Sequence, residues 1–377
     1  MTFAILGSGT VAPENRASQN EILDVSRTLV CENSRQERLM TILFQKSGID
    51  SRQTVLNTDY LTRWKAESTP AAPGLGPGTG ERMKLYAQHA GPLGCKAATL
   101  ALKDSFTDAK EITHLVTVSC TGFVAPGIDA ELINLLGLRP TVERVHVGYM
   151  GCHGAINGLR VARGLAATSP EARILLCAVE ICTLHYRLIW DDEGVKGNAL
   201  FSDGAGALVC GQPSENDSPV WTVHDTGSCM IPNSTQEMSW IIGDHGFEMS
   251  LSRQVPQLIE EHLSPWMSSW LDHQGQTVSS IGNWAVHPGG PRILDAVETS
   301  LGLPPGACTE SRTVLRERGN MSSPTVLFVL DRLRSQPAAS PTVMLGFGPG
   351  LTAEVALLSG PHRTNEGEKT IGETADS

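Results

Sequence analysis

Cys152 lies in the run Val145–Arg160, VHVGYMGCHGAINGLR, with Gly151 directly before it and Gly154 two places after. Glycines on both sides permit a sharp strand-to-helix turn with close backbone approach. Such a turn sets the sulfur at a helix N-terminus, where free amides and the dipole favour a thiolate. The same amides offer donors to an oxyanion. The stretch alone equally describes a cysteine packed in a tight bend. His287 ends the short apolar run NWAV and precedes Pro288-Gly289-Gly290-Pro291. A histidine at a strand's C-terminal end faces a crevice in open α/β sheets, or it is a core histidine satisfied by its neighbours. Asn320, in the small polar turn GNMSS, reads by itself as a helix cap. A thiol, an imidazole and a carboxamide are together the groups of nucleophilic acyl transfer.

These residues need a scaffold of strands and helices to bring them together. The apolar periodicity alternates strand-like with helix-like segments and so predicts an α/β class. Strands are expected at 2–6, 115–119, 174–180, 205–209, 283–286, 343–347 and 353–358. Helices are expected at 34–47, 86–105, 129–136, 153–167, 252–271, 291–301 and 323–335. The stretch 66–81, rich in Pro, Gly and small residues, is expected to be a surface loop, and 211–220 the join between two halves. The polar residues after Gly360 show no apolar pattern and are expected to form a frayed tail.

A length of 377 residues suits two domains or a duplicated fold. The net charge of −11, with no basic run, argues against a nucleic-acid partner while leaving room for an anionic substrate held by a few local cations. Nine cysteines without CxxC spacing indicate neither a disulfide framework nor a zinc site. The start has no basic segment ahead of an apolar one, and no 18-residue apolar window exists, so no membrane span and a cytoplasmic location are expected.

Taken together, the Cys152 run, His287-Pro-Gly-Gly-Pro and Gly319–Ser323 occur in the order and spacing of type III polyketide synthases, the chalcone-synthase-like enzymes. VSCTGFVAPG (118–127), LLGLRP (135–140), ALFSDGAG (199–206) and GFGPGLT (346–352) are similar to that family's motifs as well. The resemblance extends from about residue 4 to 358. It implies the thiolase fold: two pseudo-symmetric halves in a five-layer αβαβα sandwich, here 1–215 and 216–360 with a tail at 361–377, working as a homodimer. Carried over by motif, Cys152 is the nucleophile and His287 and Asn320 are its polar partners. A starter acyl-CoA loads on Cys152, malonyl-CoA is decarboxylated, and the poly-β-keto chain cyclises. The substrates are CoA thioesters, with no further cofactor and no metal.

The resemblance also implies a cavity bounded by Phe201 as an aromatic gate, His185, Phe247, Met249, Thr121, Ser322, Gly346 and Phe347, with Ala125 at the position that reaches across the dimer. Lys46, Arg38, Gly289 and Arg292 are the implied CoA contacts. Met249, His185 and Ala125 depart from the plant pattern. A smaller Ala125 and a pliable Met249 lead us to expect an aliphatic starter, giving alkylpyrones or alkylresorcinols. His153 reads as a wall or packing residue, and Glu180 and Asp203 as structural.

Four other readings compete. A papain-like Cys-His-Asn hydrolase has its cysteine near the mature N-terminus, whereas this one is mid-chain. A dinucleotide-binding enzyme is hinted at by GSGTVA (7–12), but Pro13 falls where the phosphate-binding helix should run. A non-catalytic member has no need of a thiolate. An initiating ketoacyl-carrier-protein synthase shares the expected fold and the Cys-His-Asn set, and a requirement for carrier protein would select it.

Overall fold

The computed structural model describes residues 2–68, 74–335 and 341–361. The first half carries β1 (Phe3–Val11), β2 (Asn15–Ser18), α1 (Gln19–Val30), α2 (Ser34–Gln45), β3 (Ser51–Thr54), α3 (Thr58–Ala66) and α4 (Thr79–Asp104). It continues through β4 (His114–Ser119), α5 (Ile128–Leu136), β5 (Glu143–Gly148), α6 (Gly154–Thr168), β6 (Arg173–Ile181), α7 (Gly194–Leu200) and β7 (Asp203–Gly211). The second half holds β8 (Trp221–Met230), β9 (Met238–Gly243), β10 (Gly246–Leu251), α8 (Val255–His273), β11 (Asn283–Val286) and α9 (Pro291–Leu301). It closes with α10 (Thr309–Arg318), α11 (Thr325–Leu333), β12 (Thr342–Gly348) and β13 (Thr352–Ser359). Every strand and helix expected from the sequence is present, β11 and α9 with the expected ends and the others with shifted ones. Of the expected loop 66–81, residues 69–73 lie outside the described residues, as does the expected tail from 362 onward.

Duplication is visible in the pairing. Within one half β1 runs antiparallel to β7, β7 antiparallel to β6, and β6 parallel to β4. In the other, β8 runs antiparallel to β13, β13 antiparallel to β12, and β12 parallel to β11. A short antiparallel pairing of Phe3–Ile5 with Trp221–Val223 joins the two into one nine-stranded sheet, β11-β12-β13-β8-β1-β7-β6-β4-β5. The outer layers and the middle are separate cores. One packs α1, α4 and α5 on the first half-sheet, and one packs α8 and α9 on the second. Between them α6 and α11 bury Ile156, Leu159, Val326 and Leu330 against both half-sheets. That is the five-layer αβαβα arrangement of the thiolase fold.

Sequence chemistry explains the layers. Strand β7 (DGAGALVCG) is buried at every position and β6 (RILLCAVEI) at all but its first, because helices cover both faces. The GSG of the dinucleotide-like motif lies inside β1, paired with β7. A Cβ on Gly7 would lie 2.7 Å from the Ala101 carbonyl oxygen, and one on Gly9 2.6 Å from the Leu100 Cβ. These glycines therefore let α4 lie directly on the strand, and no phosphate loop exists there. Helix ends follow capping chemistry. Ser18 and Glu21 close a reciprocal capping box at α1, and Pro291 opens α9 while Gly302 closes it in left-handed backbone.

Candidate active site

Cys152 sits in a single 3-10 turn, Gly151–His153, between β5 and α6. Gly151 has φ 72°, and a Cβ on it would collide with Cδ of Pro349, in the turn between β12 and β13. The nucleophile turn of one half is thus wedged against the other half. Ser322 and Asn320 act on the Cys152 sulfur as polar neighbours that favour its charged form, and the Ser322 hydroxyl lies 3.4 Å from the Cys120 sulfur. Ser322 holds left-handed backbone, φ 58°. Asn320 is pinned through its main chain, donating to Leu200 and accepting from Ser202, each at 2.9 Å. Its Oδ1 accepts the Ser322 N–H at 2.8 Å, while its Nδ2 lies a long 3.5 Å from the Gly289 carbonyl. Pro324, not Asn320, occupies the cap of α11. The carboxamide is therefore part of the site.

His287 directly follows β11, buried, with its main-chain N–H on the Leu345 carbonyl at 2.7 Å. Neither ring nitrogen has a hydrogen-bond partner among the described residues. Burial pulls its pKa down to about 3, and neighbouring His153 adds to the effect. The Cys152 residue is half-buried but its sulfur is enclosed, and burial pushes the thiol up to about 11, partly opposed by Ser322 and Asn320. Burial thus favours the neutral form of each, and for the sulfur it works against the thiolate that a helix terminus favours.

Beneath the site, Glu180 binds the Ser119, Thr121 and Ser323 hydroxyls and the Cys120 amide. It ties the loop after β4 to the turn before α11, the structural role expected of it. Asp203 likewise accepts from Val55 and Thr183. His153 donates or accepts at Asn157 and packs against Gly346 and Gly348.

Phe201, His185, Phe247 and Met249 line one cavity of about 30 Å³. Phe201 forms a backbone bridge with Asn320, which sets one wall residue of the cavity beside the carboxamide's own segment. His185 stacks on Phe247 at 4.3 Å and meets Trp240 edge-on at 5.2 Å. Trp240, which sequence reasoning missed, anchors its indole N–H on the Cys120 carbonyl at 2.7 Å. The hairpin β9–β10 that carries it showed no clear period. Thr121 stands behind the wall, its carbonyl on His185 and its hydroxyl on Glu180. Ser322, Gly346, Phe347 and Ala125, like Thr121, are not on this cavity's lining. Strand alternation turns Phe347 into the outer core with Val343 and Leu345, on the face away from His153. Ala125 is exposed on the surface beside Phe123 and Val124, outside this chain's cavity.

A groove of about 740 Å³ opens between α2, α7 and the start of α9. Lys46, Gly289 and Arg292 lie on its wall, as expected for CoA contacts. Arg38 does not: the helical repeat of α2 presents Arg35, Leu39 and Ile42 to the groove instead. Arg35, Lys196 and Arg253 are cations the sequence did not single out, and Asp192 is the only carboxylate on that wall among the described residues. Gly289 and Leu200 belong both to the groove and to the hydrogen bonds that hold Asn320. The groove therefore ends at the reacting groups.

A buried thiol with two polar partners, on a duplicated thiolase fold and at the end of a cation-lined groove, defines the class of thioester-condensing acyltransferases. Comparison with known proteins narrows the class. Residues 2–214 match the family "Chalcone and stilbene synthases, N-terminal domain", and residues 222–361 match its C-terminal domain. The chain is 30% identical over 366 residues to type III polyketide synthase C of Arabidopsis thaliana, covering 94% of each. It is 32% identical over 390 residues to bisdemethoxycurcumin synthase of Oryza sativa subsp. japonica, covering 96% of this chain and 93% of the relative. Among solved structures, PKS-I of the brown alga Ectocarpus siliculosus superposes with TM-score 0.86 at 28% identity, over 95% and 98% of the two chains. The type III polyketide synthase domain of Steely1 from Dictyostelium gives 0.89 at 28%, over 95% and 99%. The chain belongs to the chalcone and stilbene synthase family, the type III polyketide synthases, whose members are condensing acyltransferases.

Proposed function

We propose that the chain loads a short aliphatic acyl group from CoA onto Cys152, extends it with malonyl-CoA, and releases a cyclised pyrone-type product. The observation that carries this reading is the buried His287 ring, unpartnered among the described residues, near the Asn320 carboxamide, whose Nδ2 makes only a long 3.5 Å bond to the Gly289 carbonyl. As the thioester arrives, the Cys152 S–H proton passes to His287, sulfur bonds to the acyl carbon, and CoA leaves with the proton. Malonyl-CoA then loses CO2, and His287 and Asn320 donate to the enolate oxygen. The enolate carbon attacks the acyl-Cys152 thioester and frees the sulfur for the next round. Cations along the groove support its assignment to the CoA phosphates. The closed aromatic wall supports a short starter and few extensions, because a cavity of 30 Å³ leaves little room for chain growth.

A homodimer is part of this proposal. Strand β5 is an unpaired sheet edge, and Phe123, Tyr149 and Met150 stand exposed around it at 65%, 46% and 40%. Purified protein given malonyl-CoA with acetyl-, hexanoyl-, lauroyl-, palmitoyl- or p-coumaroyl-CoA tests the reaction by mass spectrometry. New pyrones from the short aliphatic starters, absent in Cys152→Ala, are expected. A kcat/KM highest for p-coumaroyl-CoA would overturn the starter, and turnover only with malonyl carrier protein would overturn the CoA dependence.

A further inference from the structure

Helix α2 shows solvent a face that the groove uses only in part. Arg35, Arg38, Leu39, Ile42, Gln45 and the capping Lys46 recur at helical spacing, and all are exposed. Leu39 and Ile42 form the middle of this stripe at 39% and 46% exposure, with cations at both ends. Glu37, the one carboxylate of α2, pairs with Arg27 of α1 instead. On the same groove wall stand Arg253 and Arg292, also exposed. None of Arg35, Arg38, Lys46, Arg253 and Arg292 forms an ion pair among the described residues, whereas Lys196 is spent on Glu193. In a chain of net charge −11, the mouth of the groove is therefore a local set of free cations around an apolar pair.

A CoA nucleotide lying in the groove meets Arg35, Leu39, Ile42 and Lys46 from the groove side. It does not account for Arg38 and Gln45, which are off the groove wall and carry the same exposed face outward. The stripe runs three helical turns, about 16 Å, a footprint that suits a partner helix laid across it. Apolar side chains at the centre with charges at the rim are the make-up of a protein contact. The cations fix the sign of the partner, an acidic one. The groove fixes what that partner carries. It leads from the stripe to Gly289, beside the Asn320 carboxamide, and a thioester enters it on a phosphopantetheine arm, which a carrier protein shares with CoA. We infer that the mouth of the groove docks an acidic, helical acyl carrier protein, which delivers the starter on that arm. This rests on the reading that Cys152 carries the acyl chain, and malonyl-CoA remains the extender. In the transfer the Cys152 sulfur bonds to the acyl carbon, the bond from that carbon to the arm's sulfur breaks, and the arm leaves as a thiol with the Cys152 proton.

The probe is a type II acyl carrier protein loaded with hexanoyl-phosphopantetheine, compared with hexanoyl-CoA and with free hexanoyl-phosphopantetheine. Binding of the labelled carrier is read by fluorescence anisotropy on Cys152→Ala protein, so that no transfer consumes the complex. Loading of wild-type Cys152 is read by intact mass. The carrier should bind at low salt, lose most of its affinity at high salt, and load Cys152 about tenfold faster than the free arm. Arg38→Glu should weaken carrier binding and loading about tenfold while leaving loading from hexanoyl-CoA unchanged, and Arg38→Lys should keep both. A carrier that neither binds nor outpaces the free arm would overturn the inference. So would Arg38→Glu protein with unaltered carrier binding, or one slowed equally with carrier and CoA, since the stripe would then serve the nucleotide alone. Binding of phosphatidylglycerol vesicles in place of the carrier would give the stripe to a membrane surface instead. Carrier binding that depends on Arg38, with no extension by malonyl-CoA, would overturn the polyketide reading while upholding the docking surface.

Discussion

At the scale of single residues, burial decides the protonation of the site. The Cys152 thiol is pushed up to about 11 and His287 pulled down to about 3, so the proton stays on sulfur until substrate arrives. Alkylation of Cys152 by iodoacetamide should therefore keep rising above pH 9. A plateau below pH 7 would show a resident ion pair and contradict this assignment. His287 also ties stability to pH. Its folded pKa lies below the unfolded value, so below pH 6.5 the unfolded chain binds the proton first. The contribution is whole above about pH 6.5 and is lost as pH falls toward 3. At pH 5 the loss is about 2 kcal/mol. Urea denaturation at pH 7.5 and pH 5 should show His287→Asn losing less stability between the two than wild type, by about that amount. Equal losses would mean that the buried ring already finds a proton acceptor.

At the scale of elements, the turns and the β9–β10 hairpin decide what the residues can do. Gly151 holds Cys152 in place because only glycine fits both φ 72° and the approach of Pro349. Gly151→Ala should cut acyl loading by about a hundredfold, since displacing a reacting atom by about 1 Å has that effect. Unchanged loading by intact mass would show that the turn tolerates the shift. Trp240 closes the cavity from β9, so Trp240→Ala should move the products toward chains longer by one or more acetate units, read by mass spectrometry. An unaltered product distribution would place the limit elsewhere. How far the sequence reveals these elements depends on burial. Strands β6 and β12 are apolar runs and were legible, as were the glycine-flanked Cys152 and His287 turns. Strand β8 (WTVHDTGSCM) and the β9–β10 hairpin mix exposed polar and apolar residues, so no period marks them. Phe347 was misplaced because neighbouring positions of a strand face opposite layers, and a motif does not state which layer holds the cavity. Arg52, on the cavity wall, gave no signal at all. Its burial between the Phe201 carbonyl and the Phe44 ring joins segments far apart in the chain.

At the scale of the whole molecule, the open question is which chain completes each site. Ala125 belongs to an exposed loop with Phe123 and Val124, on the side where edge strand β5 and Tyr149 also stand bare. An edge strand bordered by apolar side chains is covered in a stable protein, and a second copy meeting it across a two-fold axis covers both edges at once. Light scattering should accordingly give twice the chain mass, and Val145→Lys, placing a charge at that edge, should shift the population toward monomer. A wild-type monomer at micromolar concentration would end the proposal. If the dimer forms there, Ala125 can border the partner subunit's cavity, and this can be tested by complementation. Ala125→Trp alone should change the product profile. In a purified mixed dimer, one chain carries Ala125→Trp with its Cys152 intact, and the other carries Cys152→Ala with its Ala125 intact. The only working nucleophile then sits opposite an unaltered Ala125, so wild-type products should return. Persistence of the altered profile in the mixed dimer would show that Ala125 acts within its own chain, against its position on the exposed loop.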